Sequence, residues 1–277
     1  MPKKASAETS KSPTRTVNWG RESDSLGRMS AYHPWHRVQD VPSQGLSTRL
    51  KGWKTGRTHH FLSELERRYF LVLEWSPVVT DIREQFPLLP LEETLAVAEG
   101  CGFKHPTTPG TADFHVLTSD FVITFQQDET GVEVVRTTKY AADLQSERTL
   151  EKLEIERRYW VSRGVDWGIV TEREIPADLV KNVEWVHAWH DFNDLPVLVQ
   201  TNLSRIYSTL QAQTQPGSGL DEACHRTDDR LGLPGGTTLA AFRHGIATRK
   251  IRVDMNRLIV PSVPLDQLKP NFDRLPE

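Results

Sequence analysis

The chain has 277 residues, with 34 Lys and Arg against 37 Asp and Glu and a formal net charge of -3. That near balance excludes a surface that is basic all over, as a general nucleic-acid or membrane trap would be, but leaves room for a local basic patch. Two cysteines, Cys101 and Cys224, are too few for a disulfide framework or a zinc-ligand set, and no apolar run approaches the roughly 20 residues that cross a bilayer, so a reducing, membrane-free cytoplasmic setting is expected.

The opening "MPKKASAETSKSPTR" is polar, without the apolar centre of a signal peptide, and residues 1–29 are expected to be a disordered tail. Next comes "RLKGWKTGRTHHFLSELERRYFLVLEW", where Arg49, Lys51, Lys54, Arg57, His59 and His60 cluster with Trp53 ahead of a helix. In that helix Leu62, Leu65, Glu66, Tyr69, Phe70 and Leu73 follow the i, i+3, i+4 spacing of one face, and Glu66 is its only charge. Strand patterns follow in "VVTDIREQF" and "SDFVITF", and "QQDETG" turns the latter into "GVEVVRTTK", making Asp120 to Lys139 a hairpin. A charged helix, "SERTLEKLEIERRYWVSRG", and a buried strand, "VDWGIVTE", complete a mixed α/β core over residues 30–172.

Beyond the connecting "EREIPAD" the pattern turns helical: "PVLVQTNLSRIYSTLQAQ", "LDEACHRTDDRLG" and "TTLAAFRHGIATR", broken by "TQPGSG" and "LPGG". The following "KIRVDMNRLIV" reads as a β-hairpin around Asp254, Met255 and Asn256. Three short helices and a hairpin predict a winged-helix domain over 173–277, suited to DNA or to docking a protein.

The lysine that ends the Val132 strand raises a chemical question. Nuclease sites place a lysine beside metal-binding carboxylates, yet Thr137, two residues earlier on the same face, carries none. Glu66 can supply a carboxylate, since an acid on an apolar face needs a partner or a metal. It can equally close an S-x-x-E capping box with Ser63. Asp120 heads the hairpin strand, where a first ligand is needed, and Asp113 in "TADF" competes with it. Lys139 would meet phosphate charge or, with a lowered pKa, help deprotonate water; alone it reads as a solvated strand-end lysine. Arg57, His59 and His60 could grip phosphates or form a solvated loop, and Arg243, His244, Arg249, Lys250 and Arg252 could face DNA or be the polar side of a helix and hairpin.

The runs "HHFLSELE" (59–66), "LEWSPVVTDIREQFPLLP" (73–90), "KHP" (104–106), "SDF" (119–121) and "LQSERTLEKLEIERRYW" (144–160), with "GTTLAAFRHGI" (236–246) as a weaker match, resemble the TnsA family, the endonuclease subunits of heteromeric Tns transposases. The resemblance implies a restriction-endonuclease-like core with Glu66, Asp120 and Lys139 as its catalytic set. It implies Mg²⁺ (or Mn²⁺) bound by Glu66, Asp120 and the carbonyl of Thr138 or a water, with Thr137, Gln85 and Asp113 lining the site and Lys54, Arg57, His59, His60, Arg249 and Lys250 binding DNA. It also implies 5′-end cleavage of a transposon beside a TnsB-like transposase that cuts and joins the 3′ ends, a TnsC-like ATPase as regulator, and work at the nucleoid during transposition. Where related enzymes often carry Glu or Gln, this chain has Thr137. A DNA-binding assembly subunit with a decayed site and a stand-alone restriction-type nuclease are therefore the competing functions.

Overall fold

The computed structural model describes residues 27–39, 48–108, 110–126, 131–213 and 217–272. The expected tail lies outside the described residues as far as 26, as do 127–130 of "QQDETG" and 214–216 of "TQPGSG". Alternating apolar residues build a four-stranded sheet from β3 (Val79–Pro87), β4 (Thr118–Phe125), β5 (Val132–Thr138) and β6 (Asp166–Val170), in that order. The first two pairings are antiparallel, and the third is parallel, so the chain crosses over through a helix between β5 and β6. Ahead of the sheet stands a small hairpin, β1 (Thr48–Lys51) with β2 (Thr58–Phe61).

Two helices sandwich the sheet. On one face α1 (Glu64–Trp75) contributes Phe70 and Leu73 to a core with Phe61, Ile82, Phe121 and Ile123. On the other face lies α3 (Glu147–Val161), whose Tyr159 and Trp160 pack with Tyr32, Phe86, Val122 and Val135. Between β3 and β4, α2 (Leu91–Cys101) ends at a left-handed Gly102, and it packs beside α3. The helix, strand, strand, strand, helix, strand order expected for 30–172 is present, with β1, β2 and α2 added to it.

The C-terminal half holds α4 (Ala177–His187), α5 (Val197–Ala212), α6 (Leu220–Leu231), α7 (Thr237–Ala247) and the single turn α8 (Leu265–Leu268). Helices α5, α6 and α7 pack on one another as the apolar periodicity requires. The hairpin expected over 250–260 is absent, and with it the wing of the predicted winged helix. That segment is irregular, with Met255 and Ile259 buried. The Asn182 side chain on α4 takes the place of a ladder: its amide donates to the carbonyls of Met255 (2.9 Å) and Arg257 (2.8 Å) and accepts from the Ile259 N–H (2.9 Å).

The halves are packed together rather than strung apart. Leu65 and Leu71 of α1 belong to the same buried cluster as Val180, Val183, Leu203 and Phe242. Trp53, in the β1–β2 turn, stacks on His187 and His190 and donates its indole N–H to the His187 carbonyl (3.0 Å). Among the described residues no helix is long and apolar enough to cross a membrane, and Cys101 and Cys224 are free thiols.

Candidate active site

The site forms where β4 and β5 meet the first turns of α3. Asp120 is buried and accepts on one oxygen, Oδ2, from the Thr138 N–H (2.8 Å), the Thr138 hydroxyl (2.9 Å) and, more distantly, Lys139 Nζ (3.5 Å). Those bonds fix the carboxylate and leave Oδ1 for another partner. Lys139 Nζ also donates to the Thr138 carbonyl (2.8 Å), the group expected to face a metal. Burial works against the lysine's charge, yet Asp120, Glu156 and Glu66 outweigh it and hold its pKa above the ordinary value. That balance favours the charged lysine and so the phosphate-facing role over the base considered from the sequence.

A carboxylate that sequence reasoning missed completes this arrangement. Glu156 on α3 is buried and accepts a hydrogen bond from the Thr137 hydroxyl. Burial, with Asp120 adding repulsion, pushes its carboxyl up to about 7, although bonds from Ser119 and Thr137 oppose the rise. The acid lacking at position 137 on the strand thus arrives from the helix facing it. Its signal was the one used for Glu66: Glu156 lies at i+3 from Leu153 and i-4 from Trp160, a lone acid on an apolar face. Asp120, Thr137, Lys139 and Glu156, with Thr118, Asp143, Thr149 and Lys152, line one cavity of about 220 Å³.

Of the two readings of Glu66, the structure shows the capping box. Ser63 is the N-cap of α1 and accepts from the Glu66 N–H (3.1 Å), while the Glu66 carboxylate accepts from the Leu62 N–H (2.9 Å) and the Ser63 hydroxyl (2.9 Å), a complete capping box. Gln85 Nε2 adds a third donor at 3.2 Å. Burial and then the nearby Asp120 charge push Glu66 up to about 7, with Lys139 pulling the other way. Glu66 thus lies near enough to Asp120 and Lys139 to feel both charges, held on α1 beside Gln85, and it is not among the residues that line the 220 Å³ cavity. Among the described residues no group of three or more His, Cys, Asp or Glu side chains is arranged to hold a metal ion.

Other expected residues fall elsewhere. Asp113 is exposed on the loop closed by the Thr107–Phe114 bridge, away from the cavity, which removes it as a rival to Asp120. Arg57 and His59 do not grip phosphates: both point inward to Glu84, Arg57 through two bonds (2.8 and 2.5 Å) and His59 through Nδ1 (2.8 Å), His59 being an inward position of β2 and Arg57 standing just before that strand. Burial alone would raise Glu84, but His59 and Arg57 hold its carboxyl well below the ordinary range. His60 is partly buried, with Nδ1 accepting from the Val38 N–H (3.4 Å). Arg243 and His244 are structural as well: the guanidinium lies over Trp185 and Trp189, and His244 is buried with Nδ1 against the Trp189 carbonyl (2.7 Å). Lys54 and Arg249 do come together, along a separate groove of about 430 Å³ between the halves, with Lys250 the next residue; Arg252 is exposed.

Comparison with known proteins fits this geometry. Residues 76–172 match the family described as TnsA-like endonuclease N terminal, and residues 174–255 match TnsA endonuclease C terminal. The chain is 38% identical over 239 residues to the Transposon Tn7 transposition protein TnsA of Escherichia coli, covering 86% of this chain and 85% of that one. Two adjoining family matches and a relative aligned over most of both lengths place the chain in the TnsA endonuclease family.

Proposed function

We propose that this chain is the DNA-cleaving subunit of a cut-and-paste transposase, hydrolysing phosphodiester bonds at the 5′ ends of the transposon with Mg²⁺ or Mn²⁺, beside a TnsB-like transposase and under a TnsC-like ATPase. The observation that carries this reading is the convergence of Asp120, Lys139 and Glu156 on one cavity, with Glu66 close enough to feel the Asp120 and Lys139 charges. The donor type, without being a ready-made cluster of three acids among the described residues, suits a hard divalent cation. It is all oxygen, Asp120 keeps Oδ1 for a further partner, and Glu66 and Glu156 are held near 7 by burial and by the Asp120 charge, a strain that a cation would relieve.

When bound, the cation would polarise the phosphate and make its water more acidic. The protein's own groups supply the remainder. Asp120 and Glu66 would hold the cation, and Thr138 fixes the Asp120 carboxylate. Lys139, its charge favoured by the neighbouring carboxylates, would meet the negative charge that builds on the phosphate. Glu156 is steadied by Thr137 behind Asp120. Lys54, Arg249 and Lys250 are the expected DNA contacts that remain near a surface groove.

The test is 5′-end cleavage of DNA carrying transposon ends, with the partner transposase, the ATPase and Mg²⁺ present. Asp120→Ala should remove 5′ cleavage with the fold kept, because it takes away a carboxylate that holds the cation. Cleavage at the wild-type rate by that variant refutes the site. Wild-type protein that binds DNA and never cuts would be the decayed assembly subunit, and cutting without any partner would identify a stand-alone nuclease.

A further inference from the structure

Gln85 adopts a left-handed backbone, φ 49°, inside β3. Side chains other than Gly and Asn rarely take that conformation, least of all within a strand. The break has a measurable consequence. Ile82 packs in the α1-side core and Phe86 in the α3-side core, although residues four apart on a regular strand share a face. The phase of the strand therefore slips between them, and Gln85 is the residue that slips. Its neighbours pair Glu84 with Phe121 and Phe86 with Ser119, so Gln85 stands opposite Asp120 in the register.

The side chain is 3% exposed and fully oriented. Its Oε1 accepts from the Thr118 hydroxyl (3.2 Å), which turns the amide so that Nε2 donates to Glu66 (3.2 Å), and its carbonyl accepts from the Trp35 N–H (3.1 Å). The capping box already gives Glu66 the Leu62 and Ser63 donors, so this third bond exceeds what the helix needs. A glycine would serve the backbone alone.

We infer that Gln85 is a positioning residue, a left-handed break opposite Asp120 that turns an amide onto Glu66 and fixes the direction in which that carboxylate meets the Asp120 end of the sheet. The inference rests on the metal-dependent nuclease reading. Backbone strain of this kind persists where the surrounding structure holds it for a purpose.

Gln85→Asn keeps a residue that tolerates the left-handed backbone but shortens the amide out of reach, and Gln85→Gly removes the amide while relaxing the backbone. Both should melt close to wild type. Mn²⁺ affinity, measured by calorimetry without DNA, should fall by about 10-fold or more, the scale for losing a group that orients a ligand. Cleavage should need more Mg²⁺ but approach the wild-type rate at saturation, a signature that a purely structural role would not give. Variants with unchanged Mn²⁺ affinity and Mg²⁺ dependence overturn the role of Gln85, as do variants that lose both only in step with their melting temperature. A wild-type protein that neither binds Mn²⁺ nor cleaves removes the nuclease reading itself, and this inference with it. Wild-type binding and cleavage matched by both variants removes only the inference.

Discussion

At the scale of single residues, the acid that the β5 strand lacks at the cavity comes from α3. Thr137 cannot ligate a cation as a carboxylate would, yet its hydroxyl holds Glu156, nineteen residues later, against the same cavity. Lys139 then sits among three carboxylates, which explains why its charge is held so firmly. Lys139→Ala should lower 5′ cleavage by roughly 10²-fold, the loss seen when one preorganised charge is removed. The fold should suffer too, because Asp120, Glu156 and Glu66 are left without their cation, and at pH 8 the melting temperature should drop. Added Mg²⁺ should recover more of that loss in the variant than it adds to wild type, since a divalent ion supplies the missing charge. Thermal melts with and without Mg²⁺ check this; an equal response in both proteins would mean that Lys139 is not balancing those acids. Lys152 differs from its helix neighbours in a related way. Arg148, Arg157 and Arg158 pair with Glu151 or Glu154, while Lys152 lines the cavity with no ion pair among the described residues. Lys152→Ala should weaken DNA binding modestly and leave melting unchanged, as expected for one phosphate contact among many. Binding titrations at two salt concentrations would show it as a shallower salt dependence.

At the scale of elements, α1 carries two duties that its sequence showed only in part. The face through Phe70 and Leu73 was legible because its period is strict, and Glu66 stood out as the one acid on it, but Leu65, which the same spacing assigns to that face, packs with the C-terminal helices instead. Hidden was the other side, where Leu71 is buried by helices more than a hundred residues away and Glu74 accepts from the Trp53 N–H of the β1–β2 turn. The α2 helix was illegible for the opposite reason: it buries only Thr94 and Ala98 and so shows no apolar stripe. The β1–β2 hairpin hid its inward residues, Arg57 and His59, behind a composition that reads as a solvated loop. No pattern announces the left-handed Gln85 either, since its conformation follows from its partners. Ser63→Ala should cost about 1 kcal/mol through the lost cap. Glu74 offers a pH test. Burial pushes it from 4.5 up to about 7, against the Trp53 and Lys54 backbone donors, and its Oε1 has no partner. Between those pH values the folded chain keeps a proton that the unfolded chain has released, so this contribution to stability is full below about 4.5 and is lost as pH rises through 7. Glu74→Gln should remove that slope, worth about 3 kcal/mol at most. Denaturant melts of both proteins at pH 5 and pH 8 measure it, and parallel pH dependences would contradict the assignment.

At the scale of the whole molecule, the boundary at 172/173 is a change of pattern, not a gap in packing. The helix that presents Glu66 to the site on one side presents Leu65 and Leu71 to the C-terminal helices on the other. Trp53 pins the preceding hairpin to the end of α4, and Arg249 lies over Trp75 while donating to its carbonyl. A site built on α1 is therefore sensitive to whatever seats the C-terminal half. Leu71 is fully buried in the shared core, so Leu71→Ala should destabilise the protein by roughly 2–5 kcal/mol through lost burial and the cavity left behind. Because the core is shared, that loss should reach both halves together. Hydrogen exchange read by mass spectrometry should show β4 and α7 losing protection by the same free energy, in one cooperative transition. Protection kept in α7 while β4 opens would mean that the halves fold independently and that α1 belongs to the nuclease core alone. Equal loss in both would make the C-terminal helices part of the support on which Glu66 stands.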